Sequence, residues 1–168
     1  VWPYLLQGWI TIILGVLITW LGTEFDEAGP FRIGVSLVIV GVGLQIRILL
    51  SRTSMQLATR DRLSFTIIGL MMLIFWVLPF STLRLLAGEM NGGPEMFFIS
   101  GIAMVAAAVW TVMYNSDLML KVLNLLASRA RRMRPVIVTS VAYPMSAKFR
   151  TGLTLAMFAL VIFTLVVV

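Results

Sequence analysis

The chain has 168 residues, of which 60% are hydrophobic and 12% charged, with a formal net charge of +6. A mean hydropathy of +1.02 lies far above the range of soluble domains, and 168 residues cannot bury so much apolar surface in one soluble core. Because Cys and His are absent, these residues offer no thiol chemistry, no disulfides and none of the common zinc, haem or copper ligand sets. The composition therefore predicts an all-α, polytopic integral membrane protein.

Five apolar segments are long enough to be transmembrane helices. They are predicted at residues 4–22, 33–50, 64–81, 96–114 and 152–168. Each is close to the roughly 20 apolar residues that cross a bilayer, and no acidic residue interrupts any of them. We expect residues 1–114 to form a four-helix transmembrane region of two hairpins, and residues 115–151 a cytoplasmic, interfacial amphipathic segment. Residues 152–168 then form a fifth transmembrane helix.

Glycines recur at intervals of seven residues in the first two predicted helices. They are Gly8, Gly15 and Gly22 in the first helix, and Gly34 and Gly41 in the second. This spacing places each set on one helix face, where small residues let two backbones approach closely. We expect a packed hairpin. The alternative is that glycine is simply frequent in membrane helices.

The basic residues are distributed unevenly between the two sides of the predicted membrane. Eleven of the 13 lie in residues 47–62 and 115–151, whereas Arg32 and Arg84 lie in loops that also hold Glu24, Asp26, Glu27, Glu89 and Glu95. Cytoplasmic loops collect Lys and Arg, so this pattern predicts that the start of the chain is cytoplasmic and the acidic loops are outside. The positive charge then reflects membrane topology and does not indicate a nucleic-acid partner.

The segment between the fourth and fifth spans combines an apolar stripe with clustered cations. Ser116 and Asp117 can cap a short helix whose leucines and valine share one face. We expect six cations to lie at the cytoplasmic interface, among anionic headgroups or against a docked cytosolic partner. They are Arg129, Arg131, Arg132, Arg134, Lys148 and Arg150.

Polar residues inside the predicted spans are scarce. Gln7 and Gln45 lie near span ends, and Arg47 can extend its guanidinium to the inner interface. Asp61 and Asp117 are both expected at the inner surface, so no acidic pair is predicted within the bilayer. An ion-coupled carrier and an intramembrane enzyme are both disfavoured. We assign no catalytic, cofactor-binding or metal-binding residue and no cofactor.

Short motifs near the end of the chain resemble a known transporter family. They are Arg134-Pro135, Ala142-Tyr143-Pro144 and the run that starts Phe149-Arg150-Thr151-Gly152. Residues 134–168 resemble the start of a repeat in FtsX-like, MacB-type ABC transporter permeases, where a similar cytoplasmic elbow leads into the first helix of the second repeat. The resemblance implies that residues 152–168 begin such a repeat. We expect the polypeptide to continue past Val168.

The resemblance also implies a function. FtsX-like permeases relay nucleotide-driven closure of separate cytosolic ATPase subunits, and this chain has no GxxxxGK[ST] phosphate loop of its own. We therefore expect the membrane part of such a permease, in a prokaryotic plasma membrane, with the bilayer and an ATPase or other membrane subunits as partners. The alternative is a non-catalytic structural or accessory transmembrane subunit of a larger complex.

Overall fold

A computed structural model describes residues 2–53, 56–79, 81–83, 88–118, 121–122, 125 and 147–167. These residues contain long helices that we number in chain order: α1 Trp2–Glu24, α2 Ala28–Leu50, α3 Leu57–Val77, α4 Glu95–Tyr114 and α5 Lys148–Val167. Within this part of the chain no β-strand forms, and one isolated bridge joins Glu27 to Asn91. The described residues are therefore all-helical, as the composition predicts.

Four helical segments are long and apolar enough to cross a membrane. They are Leu6–Glu24, Ala28–Leu50, Glu95–Tyr114 and Phe149–Val166. They coincide with the first, second, fourth and fifth spans predicted from the sequence. A membrane protein with at least these apolar helices is thus supported by both sequence and structure.

The third predicted span differs from the other four. A helix needs an apolar stretch of about 18 residues to cross a membrane. The helix α3 begins at Leu57 and ends at Val77, so every stretch of that length within it includes the charged residues Arg60, Asp61 and Arg62. We had expected the span to continue to residue 81. The helix ends earlier because Leu78, which precedes Pro79, is extended with φ −57° and ψ 125°, and a residue before proline is disfavoured in helical conformation.

The helices pack mainly in chain order, with α1 on α2, α2 on α3, α3 on α4 and α4 on α5. Few large apolar side chains are buried in the described part of the chain; among them are Ile68 and Trp76. Most large apolar residues on the outer faces are exposed, including Trp9 at 57% and Phe158 at 66%. This distribution is typical of helices whose outer surface lies in lipid.

A tight turn between α1 and α2 brings the acidic loops together. Asp26 has φ 52°, a left-handed conformation that Asp tolerates better than most residues. The Asp26 carbonyl accepts a hydrogen bond from Asn91 N at 2.7 Å, and Ala28 N donates to Asn91 O at 3.1 Å. The α1–α2 turn therefore lies against the loop before α4. We call this end of the helices the acidic end, and its carboxylates are Glu24, Asp26, Glu27, Glu89 and Glu95.

Candidate interaction sites

Glycines line the contact between α1 and α2. The structure places all the glycines that the seven-residue spacing singles out in this contact: Gly8, Gly15, Gly22, Gly34 and Gly41. A Cβ atom on Gly15 would lie 2.7 Å from the backbone nitrogen of Val38, and one on Gly41 would lie 2.6 Å from Ile12 Cγ1. No side chain fits at such distances, so the two backbones pack directly against each other.

Further glycines lie at the other helix contacts. A Cβ on these glycines would meet Ile68 between α2 and α3, Thr111 between α3 and α4, and Phe163 and Met113 between α4 and α5. The glycines are Gly43, Gly69, Gly101 and Gly152. The sequence did not single out the first three because they have no repeat, and it singled out Gly152 only as part of the Phe149-Arg150-Thr151-Gly152 motif.

An ion pair joins the end of α2 to the start of α3. Arg47 donates from Nε to Asp61 Oδ1 at 2.8 Å and from Nη2 to Oδ2 at 2.9 Å, and Arg60 Nε lies 3.5 Å from Oδ1. The sequence placed Arg47 at the membrane interface and Asp61 in a loop. Asp61 instead belongs to α3, and the two-point geometry is the strong arrangement for Arg and a carboxylate.

Aromatic and amide contacts extend this ion pair to α4. The Arg47 guanidinium lies 5.3 Å from the Phe65 ring centroid, and Phe65 stacks on Tyr114 at 4.4 Å. Asn115 donates from Nδ2 to Thr66 Oγ1 at 2.7 Å. The ends of α2, α3 and α4 are therefore held together at one level. We call this level, opposite the acidic end, the basic end.

The Arg47 ion pair gives the basic end a defined pH response. Hydrogen bonding from Arg47 is the main cause that lowers the pKa of Asp61 below its ordinary value of 3.8. A lowered pKa in the folded state stabilises the fold above the unfolded pKa, and this contribution is lost as the pH falls through the folded pKa.

We therefore expect acidification below about pH 4 to lower the thermal midpoint of the wild-type protein in detergent, because protonated Asp61 loses its ion pair. The Asp61→Asn variant should lose this part of the pH dependence. Arg52→Gln, which changes an exposed cation after α2, should retain it. Identical pH curves for wild type and Asp61→Asn would contradict this assignment.

A buried arginine lies near the acidic end, where the sequence predicted a loop residue. Because α2 begins at Ala28, Arg32 lies within the helix and is only 5% exposed. Its guanidinium lies 5.4 Å from the Trp76 ring centroid, and Nη2 donates to the Leu78 carbonyl at 3.4 Å. Trp76 Nε1 in turn donates to Ser36 Oγ at 3.0 Å. The prediction that Arg32 is a loop charge is wrong, since these contacts bind it to α3.

The predicted interfacial cations are only partly described. Arg150 is exposed in the first turn of α5, and Lys148 is the first residue of that helix. The predicted cluster of Arg129, Arg131, Arg132 and Arg134 lies outside the described residues. Of the predicted apolar stripe, Leu118 and Val122 are each 50% exposed. Both side chains are therefore half-exposed.

Among the described residues, no three His, Cys, Asp or Glu side chains lie close enough together to bind a metal ion. No family model matches the sequence, and neither a curated protein nor a solved structure is significantly similar to it. The resemblance to FtsX-like permeases therefore depends on the motifs in residues 134–168 alone.

Proposed function

We propose that this chain is the membrane-spanning part of an FtsX-like permease that couples to a separate cytosolic ATPase. The observation that carries the proposal is the placement of α5, which begins at Lys148, directly before the Arg150-Thr151-Gly152 motif. In the described part of the chain α5 packs mainly on α4. Its other faces expose large apolar side chains such as Met157 and Phe158, at 68% and 66%. The first helix of a repeat needs such faces for the helices that follow.

The basic end supports the same proposal. Positive residues face the cytoplasm in membrane proteins, so an ATPase on that side would contact this end. Side-chain contacts hold α2, α3 and α4 together there, through Arg47, Asp61, Phe65 and Asn115. A movement imposed on one helix by nucleotide-driven closure would therefore be passed to its neighbours. ATP chemistry belongs to the partner, and this chain supplies the mechanical connection. The proposal places the protein in a prokaryotic plasma membrane with the start of the chain on the cytoplasmic side.

A structural subunit of a membrane complex is the second candidate. The observation that favours it is the combination of a glycine-lined hairpin with outer faces that expose many large apolar side chains. Such a chain can fill space between larger subunits and hold them through close helix contacts. In this case no ATPase is required.

Purification from native membranes separates the two candidates. We expect the tagged full chain to retain a cytosolic ATPase in constant ratio, and the complex to hydrolyse ATP. Arg52→Glu, an exposed change at the basic end, should reduce ATPase retention, whereas Glu24→Lys at the acidic end should not. A constant ratio to other membrane subunits without any ATPase would refute the permease proposal and support the structural one.

A further inference from the structure

A cleft opens at the basic end between the start of α3, the end of α4 and the start of α5. It consists of two adjoining cavities of about 370 and 450 Å³, whose walls share Ala58, Arg62 and Asp117. Tyr114 and Phe149 line one cavity, whereas threonine and asparagine side chains line the other. Each cavity falls within the size range of small-molecule sites, and together they offer an aromatic wall beside a polar one.

The cleft lies at the headgroup level of a bilayer. Tyr114 is the last residue of α4, a helix long and apolar enough to span a membrane, and tyrosine concentrates at the membrane–water interface. Arg62, near the start of α3, contacts Asn115, the residue directly after α4, so both helices reach this level together. Phospholipids are therefore the molecules at highest local concentration next to the cleft.

Arg62 supplies a cation that is held in place within the cleft. It is partly buried, it lines both cavities, and its Nε donates to Asn115 Oδ1 at 3.3 Å. Among the described residues it makes no further hydrogen bond or ion pair, so its Nη groups keep N–H donors for a ligand. The planar guanidinium matches the geometry of phosphate oxygens. Arg62 is therefore a phosphate donor whose orientation the fold already fixes.

The charges around the cleft sum to a positive value. Asp61, in the wall of one cavity, is contacted by both Arg47 and Arg60, so these three side chains together carry one positive charge. Asp117 already interacts within the chain, and its carboxylate is therefore not assigned to a ligand. Its negative charge is matched by the positive charge of Arg62, so the whole group keeps a surplus of one positive charge. Such a surplus favours an anion over a neutral or cationic ligand.

We propose that this cleft binds the headgroup of an anionic phospholipid such as phosphatidylglycerol. The phosphate accepts hydrogen bonds from the Nη groups of Arg62 and from the hydroxyl of Thr59, an exposed residue that lines the polar cavity. Tyr114 and Phe149 offer apolar surface to the glycerol ester part of the lipid. Phosphatidylcholine carries the same phosphate, but its quaternary ammonium cancels the negative charge. The positive surplus therefore selects phosphatidylglycerol, and this selection does not depend on an ATPase partner.

Native mass spectrometry tests the proposal. The full chain is released from nanodiscs made of equal parts of phosphatidylglycerol and phosphatidylcholine, and the retained lipids are quantified. We expect the wild type to retain phosphatidylglycerol preferentially. Arg62→Gln should lower this retention roughly tenfold, since it removes charge-assisted hydrogen bonds. Arg52→Gln removes the same charge from an exposed position that does not line the cleft, and it should leave the retention nearly unchanged.

A second pair of variants keeps the test valid if Arg62→Gln disturbs folding. Ala58 is exposed and lines both cavities, so Ala58→Glu places a negative charge in the cleft and should also lower retention roughly tenfold. Gln56→Glu adds the same charge two residues earlier, at an exposed position that lines neither cavity. We expect this control to retain phosphatidylglycerol as the wild type does.

Three results would overturn the proposal. The first is equal retention of the two lipids by the wild type. The second is an equal loss in the cleft variant and the control of either pair, which would show a general attraction to the basic end. The third is displacement of the lipid by excess inorganic phosphate, which offers the same oxygens without acyl chains and would identify a soluble phosphate compound as the ligand. We expect phosphate to leave the bound lipid in place.

Discussion

Replacing Trp76 by alanine is expected to lower the free energy of unfolding by about 3 kcal/mol. Trp76 is 3% exposed and lies in the contact between α2 and α3. The substitution removes a large buried ring, the hydrogen bond to Ser36 and the aromatic face next to Arg32. It therefore leaves a buried cation with fewer compensating contacts, which is costly at membrane depth. The free energy can be measured by titration with SDS in mixed micelles, followed by circular dichroism.

Two further variants divide this effect into its causes. Trp76→Phe keeps one aromatic ring but loses the Nε1 donor and part of the buried indole, so a loss of about 2 kcal/mol is expected. Ile74→Ala changes a residue of the same helix that is 64% exposed, and it should alter stability little because its side chain faces lipid in both states. If Ile74→Ala were as destabilising as Trp76→Ala, the placement of Trp76 in the interior contact would be wrong.

Replacing Gly34 by alanine is expected to lower the free energy of unfolding by about 2 kcal/mol. A Cβ at this position would meet the backbone nitrogen of Thr19 and would lie 2.7 Å from the carbonyl oxygen of Gly15. Backbone atoms cannot rotate away as a flexible side chain can, so α1 and α2 must move apart. The loss of close packing outweighs the higher helix propensity of alanine, which is worth about 1 kcal/mol.

Gly29→Ala provides the matched control for Gly34→Ala. A Cβ on Gly29 would have Met96 Sδ as its neighbour at 3.5 Å, which is ordinary van der Waals contact. Both glycines lie in α2, so both substitutions change helix propensity in the same direction. Because Gly29 precedes Pro30, a Cβ there is disfavoured in helical conformation, so we expect Gly29→Ala to show a loss smaller than that of Gly34→Ala in the same SDS titration. Similar losses in the two variants would show that the α1–α2 contact is not responsible.

The features that were predictable from the sequence depend on local patterns. Hydropathy alone locates α1, α2, α4 and α5, since a bilayer selects for apolar length. The seven-residue spacing of glycines predicts which face of α1 meets α2, because it follows directly from helix geometry. Neither inference needs knowledge of a distant residue.

The features that the sequence missed depend on distant neighbours. Arg32 was assigned to a loop because a hydropathy profile treats a charge as a boundary, yet Trp76, 44 residues away, covers it. Asp61 was likewise assigned to a loop, although Arg47 binds it within α3. The cleft beside Arg62 arises only when three helices meet. In each case the sequence shows the residue, and tertiary packing decides what the residue does.

Cysteine accessibility tests the central claim that the basic end faces the cytoplasm, where an ATPase can act. The chain contains no cysteine, so single replacements can be labelled without background. Glu89 lies in an exposed acidic loop and Arg52 in an exposed basic loop. We expect a membrane-impermeant maleimide to label Glu89→Cys in intact cells, and Arg52→Cys only after the membrane is permeabilised. Labelling of Arg52→Cys in intact cells would contradict the orientation and, with it, the proposed partnership with a cytosolic ATPase.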